Sequence, residues 1–108
     1  MPHYLVQVAY SSEGNAAIVE KPQNRLEAVR PAVEKLGGKL NSGWYSLGEY
    51  DAVLIVDMPS NVNAMALSMA FSAGGAVKKV NTTPLLTADE SVEAMKKAST
   101  AGYKPPKR

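Results

Sequence analysis

The chain has 108 residues, 45% hydrophobic and 20% charged, with a net charge of +2, a length and balance that fit one soluble globular domain. The charge is too small for a nucleic-acid or acidic-membrane partner. The absence of cysteine and the single histidine exclude disulfides and thiolate chemistry and leave little for a metal site. No stretch approaches the roughly 18 apolar residues of a membrane span. Met1-Pro2-His3-Tyr4 lacks the basic and apolar run of a signal peptide, so a cytoplasmic protein is expected.

His3 to Tyr10 is rich in β-branched and aromatic residues and predicts a first strand. Ser11 to Asn15 reads as a turn able to cap a short helix over Asn15 to Lys21, which Pro22 interrupts. Asn24 is the natural N-cap of a helix over Arg25 to Leu36. Leu26, Val29, Val33 and Leu36 give it one apolar stripe, Pro31 should kink it, and Gly37-Gly38 ends it. Lys39 to Leu47 predicts a second strand with a bulge at Gly43, and Gly48-Glu49 a tight turn. Tyr50 to Asp57 is the strongest strand signal of the chain.

Ser60 or Asn61 caps a second long helix with its body over Ala64 to Ala73. Met65, Leu67 and Met69 are expected to pack inward, and Gly74-Gly75 stops the helix. These glycines follow a helix where phosphate binding would need them to open one. A fourth strand covers Ala76 to Leu86. Thr87 and Glu90 form the pattern of a capping box at the head of a last helix running to about Ala98. The domain is expected to span residues 1–102, leaving Tyr103 to Arg108 as a basic tail.

This βαββαβ order, with right-handed crossovers and a hairpin between the second and third strands, selects a ferredoxin-like α+β sandwich with strand order 4-1-3-2 and an extra C-terminal helix. Two helices cover only one face of such a sheet. Yet Ala52, Leu54 and Val56 alternate with Val53 and Ile55, and Tyr4, Val6 and Val8 alternate with Leu5 and Ala9, so both faces are apolar. An exposed apolar sheet is an aggregation liability. The last helix offers only Val92 and Met95 to cover it, so the sheet of a second subunit is the better candidate. A homodimer or higher oligomer is expected.

The run Gly48-Glu49-Tyr50-Asp51 followed by Ala52 to Pro59 resembles the GYD domain family. The resemblance takes in Tyr4-Leu5-Val6, Leu36 to Leu40, Gly74 to Val77, Thr82 to Thr87 and Gly102 to Pro106, nearly the whole chain. Pro31 departs from the family's pattern. The resemblance implies a dimeric α/β barrel, in which two ferredoxin-like sheets close on each other. It supplies no activity.

Topology gathers Tyr10, Trp44, Tyr45, Glu49, Tyr50, Asp51 and Lys79 at one sheet edge. One reading is a pocket for a small organic molecule at the barrel mouth. Asp51 would be base or acceptor, Lys79 an anion contact, and Trp44 and Tyr50 stacking surfaces, with Tyr10, Tyr45 and Glu49 beside them. The other reading makes Glu49 to Asp51 hairpin chemistry and Trp44 a dimer anchor. His3 should face Asp57 across the strands, as acid–base machinery or as an ordinary strand-end pair. Ser11 and Ser12 lie at the far end of that strand, which rules out a Ser–His–Asp triad. No metal ligand set and no cofactor is implied. Three functions follow: a small-molecule-binding or regulatory homo-oligomer, a cofactor-independent enzyme using Asp51, Tyr50 or His3 for proton transfer, and a structural oligomeric module.

The capping box can be tested. Thr87→Ala should cost the last helix roughly 1 kcal/mol, the usual worth of an N-cap side chain. An unchanged thermal midpoint would mean that the box is absent or that the helix contributes nothing to the fold.

Overall fold

The computed structural model describes residues 1–107; Arg108 of the basic tail lies outside the described residues. The elements are β1 (His3–Tyr10), α1 (Ser12–Glu20), α2 (Arg25–Lys35), β2 (Lys39–Tyr45), β3 (Ala52–Asp57), α3 (Asn61–Ala73), β4 (Val77–Leu85) and α4 (Ala88–Ala98). The four strands form one antiparallel sheet in the order β2-β3-β1-β4, as the crossover rules require for a ferredoxin-like α+β fold. No helix among the described residues is long and apolar enough to cross a membrane.

The strands alternate as their sequences predict. Tyr4, Val6 and Val8 of β1 and Ala52, Leu54 and Val56 of β3 face the helices and are at most 5% exposed. Val33 of α2 and Leu67 of α3 close over them. Leu5, Val53 and Ile55 point to the opposite face and are only half-buried. The bulge of β2 falls at Asn41, where two residues oppose one step of β3, and not at Gly43. Gly43 serves a different purpose. A Cβ there would stand 3.0 Å from a methyl of Leu54 and 3.3 Å from one of Leu26, so its bareness lets α2 settle on the sheet.

α2 runs through the exposed Pro31 as one helical element, and α3 departs from expectation. On α3, Leu67 is buried but Met65 and Met69 are 65% and 64% exposed. The inward stripe is Ala64, Leu67 and Phe71, at helical spacing, and the methionines lie off it.

α1 is held by its first turn. The Ser11 N–H donates to the carbonyl of Ala76 at 2.8 Å, and the Ser11 hydroxyl accepts from the Gly14 N–H at 3.0 Å. Gly14 is buried directly against the Ala76 carbonyl, and any Cβ would overlap that oxygen.

α4 behaves otherwise. Its capping box is formed, with the Glu90 N–H donating to Thr87 Oγ1 at 3.1 Å and the Thr87 N–H to Glu90 Oε1 at 2.9 Å. Yet α4 buries no residue. It stands off the body, and the radius of gyration is 17.4 Å where a compact chain of this length gives about 13 Å. It leaves the second face of the sheet open.

Two outcomes follow. Thr87→Ala should lower the helical circular dichroism signal and speed amide exchange in α4 while the midpoint of the sheet stays put, since nothing buried depends on α4. Gly14→Ala should behave in the reverse of its helix propensity. Alanine normally gains about 0.5–1 kcal/mol over glycine inside a helix, but overlap with a backbone carbonyl costs roughly 1–3 kcal/mol. A lowered unfolding midpoint is expected, and a raised one would show that α1 is not seated on Ala76.

Candidate functional site

At one end of the sheet β1 finishes, β3 and β4 begin and β2 turns into its hairpin. Asp51 fastens this end. Its N–H donates to the Val8 carbonyl at 2.8 Å, and its carboxylate accepts from the Tyr10 N–H at 2.8 Å, standing in for the next carbonyl of the ladder. On the other side of β1 the register shifts between Ala9 and Tyr10, which leaves Lys78 as an extra residue of β4. In phase with Tyr4, Val6 and Val8, Tyr10 lies on the helix side of the sheet at this end. The hairpin itself closes through the Ser46 N–H to the Asp51 carbonyl, 2.8 Å, and the Ser46 hydroxyl to the Tyr50 carbonyl, 2.7 Å.

Between this end of the sheet and the three helices lies a cavity of about 330 Å³. Val8, Ala52 and Leu54 form its floor, Leu26 and Val29 of α2 one wall, and Phe71 of α3 the other. α1 closes it through Gly14, Ala17 and Ile18. The space exists because small residues stand where side chains would fill it. Its polar lining residues are Tyr10, Arg25 at the first position of α2, and Gln23 just before it, and the Arg25 charge acts on the Tyr10 phenol. Burial raises the Tyr10 pKa, reinforced by Tyr45 and Asp51 and opposed by the Arg25 charge, so the phenol stays protonated and able to donate at neutral pH. The Tyr45 hydroxyl accepts the Arg25 backbone N–H at 2.9 Å, and Asn24 caps Leu26 and Glu27, so the start of α2 is fixed.

The residues expected at the barrel mouth are therefore divided by the sheet. Tyr10 lines the cavity and Tyr45 braces its rim. Trp44 pairs with Val53 on the opposite face and is 59% exposed. Glu49, Tyr50 and Lys79 gather on that side as well: Lys79 Nζ donates to Glu49 Oε1 at 2.9 Å and lies 5.3 Å from the centre of the Tyr50 ring. The hydrogen bond from Lys79, then its charge, lowers the Glu49 pKa, and Glu49, then Tyr50, raises that of Lys79. Neither Tyr50 nor Asp51 is a wall of the cavity. His3 is at the far end of the sheet, where its Nδ1 meets Asp57 as the antiparallel register requires. Asn41 donates to the same carboxylate at 2.8 Å. Arg25, Gln23 and Phe71 gave no signal in the sequence beyond helix-start and core patterns. Among the described residues no group of three acidic or histidine side chains could hold a metal ion.

The family model of the GYD domain matches residues 4–95, which takes in all of the sheet but His3, α1 to α3 and most of α4. The chain belongs to the GYD domain family. No curated protein matches it. The Gly48 to Pro59 run that carries the resemblance forms, in this GYD domain, the hairpin turn, the Asp51 clasp and the central strand β3.

The GYD domain's strand-end pair has a defined acid response. Burial alone would raise the Asp57 carboxyl; the hydrogen bonds from His3 and Asn41, then the His3 and N-terminal charges, outweigh it and hold the pKa below the ordinary carboxylate value. A depressed native pKa gives stability that is present above the unfolded-state value of about 3.9 and lost as pH falls through the lower native one. Asp57→Asn should lower the midpoint at neutral pH and flatten its decline below about pH 4. Thermal melts of both proteins across that range check this, and parallel curves would remove Asp57 from the acid response.

Proposed function

We propose that this protein is a small-molecule-binding homo-oligomer whose ligand occupies the cavity between the sheet and the three helices. The cavity carries the reading. Its volume is in the range of small-ligand sites, its walls are apolar, and its few polar groups converge at one rim. Asp51, the strongest candidate for proton transfer, has its carboxylate on a backbone N–H, and His3 lies at the opposite end of the sheet, which favours binding over catalysis. Ligand-observed NMR with a library of small aromatic and aliphatic fragments tests the site. Hits are expected on the parent protein and should vanish on Ala70→Trp, which fills the cavity from an exposed position of α3. Hits that survive Ala70→Trp, or none at all, would refute the site.

Association through the uncovered sheet face is the second half of the reading. Leu5, Val53, Ile55 and Trp44 make a continuous apolar strip there, bordered by His3–Asp57 at one end and Lys79–Glu49 at the other. α4 does not cover it, and two such faces packed together form the barrel that the family resemblance implies. Sedimentation equilibrium at micromolar concentration should give a dimer or larger species, and Trp44→Asp should give a folded monomer. Trp44 is the only tryptophan, so its emission should shift to shorter wavelength as concentration rises. A monomer for the parent chain would leave the face open and end the barrel model.

A further inference from the structure

The basic side chains at this end of the fold are not alike, and among the described residues only Arg25 of them lines the cavity. Arg30, on α2, gives two hydrogen bonds to Glu27, at 3.0 and 2.9 Å, and Lys79 is engaged by Glu49. Arg25 forms no ion pair with an acidic side chain among the described residues. Its Nη1 donates to the Gln23 side-chain oxygen at 3.1 Å, while the Gln23 amide nitrogen donates to the Lys21 carbonyl at 3.1 Å. Gln23 thus acts as a strut that holds the guanidinium in place. One donor is used, and the others of the planar fork remain for a partner.

The surroundings decide what that partner is. Arg25 is half-buried in the cavity lining, near enough to Tyr10 for its charge to act on that phenol, which is a donor at neutral pH. Among the described residues no acidic residue lines the cavity: Glu27 is engaged by Arg30, and the Asp51 carboxylate accepts the Tyr10 N–H. A positioned cation and a phenolic donor at the mouth of an apolar chamber favour a ligand that is anionic at one end and apolar in its body. A fork of N–H donors matches the two oxygens of a carboxylate. The volume corresponds to about eleven water molecules at roughly 30 Å³ each, which limits the body to one or two rings or a short chain.

We infer that the cavity takes a small amphipathic carboxylate, its acid group held by Arg25 and the Tyr10 hydroxyl and its ring or chain lying against Leu54, Val29 and Phe71. This rests on the binding reading above and adds the chemistry of the ligand. Gln23 and Tyr45 are positioning residues: the first holds the guanidinium, the second the backbone from which it extends.

The test uses naphthoate and its neutral amide, naphthamide, as a matched pair, with affinities measured by ligand-observed NMR on the full chain. Naphthoate should bind at least tenfold more tightly, the weaker end of what a hydrogen bond to a charged group contributes. Arg25→Gln should abolish the difference by weakening naphthoate far more than naphthamide, and Ala70→Trp should abolish binding of both. Raised salt should weaken naphthoate alone. If both probes bind equally and both are lost on Ala70→Trp, the site stands and the carboxylate preference is overturned. If naphthoate is preferred but the preference survives Arg25→Gln, Arg25 is not its anchor and the proposal fails. If neither binds at millimolar concentration, the carboxylate proposal fails, and the fragment screen decides separately whether the site does. Circular dichroism of each variant establishes that it is folded.

Discussion

The register of β1 is the constraint on which everything else depends. This strand lies at the centre of the sheet, between β3 and β4, and a slip of one residue against either neighbour would exchange its two faces. Hydrophobicity decides the matter poorly, because both faces are apolar in mid-strand. Polar partners decide it. His3 meets Asp57, Gln7 accepts from Asn81 at 3.2 Å, and the Tyr4 hydroxyl donates to Asn61 of α3 at 2.5 Å. Each contact is possible only in this register. A slipped strand would leave the Tyr4 ring in water and bring Gln7 beneath the helices with no partner.

From that register the two faces acquire different character. Beneath the helices the side chains are large in mid-strand and small at the Tyr10 end, so the core is closed at one end and hollow at the other. On the opposite face the apolar strip is flanked by polar and ionic pairs, an arrangement that favours one orientation of a facing sheet over sliding. On the reading proposed here, one face encloses a ligand and the other a second copy. The same strand residues serve both, and even and odd positions divide the work.

Much of this was legible in the sequence. The strand order followed from crossover handedness and the hairpin, the His3–Asp57 pair from antiparallel register, and the α4 capping box from Thr87 and Glu90. What escaped was a void. Gly14, Ala17, Ala52 and Gly74 carry no positive signal of a site; they read as turn, helix and strand residues, and only assembly shows that their bareness coincides. Arg25 read as an ordinary first-turn residue, because the Gln23 strut and the Tyr45 brace join segments that pattern does not connect. The inward assignment of Met65 and Met69 failed because α3 is apolar almost all round, so composition could not say which stripe faces the sheet.

The seating of α1 carries one more implication, for the order in which the chain acquires its parts. Ser11 is joined to Gly75, its hydroxyl donating to that carbonyl at 3.0 Å across a separation of 64 residues. The wall that α1 gives the cavity is therefore held by the segment that opens the last strand of the sheet. Long-range closures of this kind bear the entropy of the intervening loop and tend to form late. A chain still lacking β4 has the floor of the chamber and both long helices but no fixed lid on it. Occupancy thus belongs to the finished topology alone, and a ligand would stabilise that state by mass action without rewarding any partly assembled one.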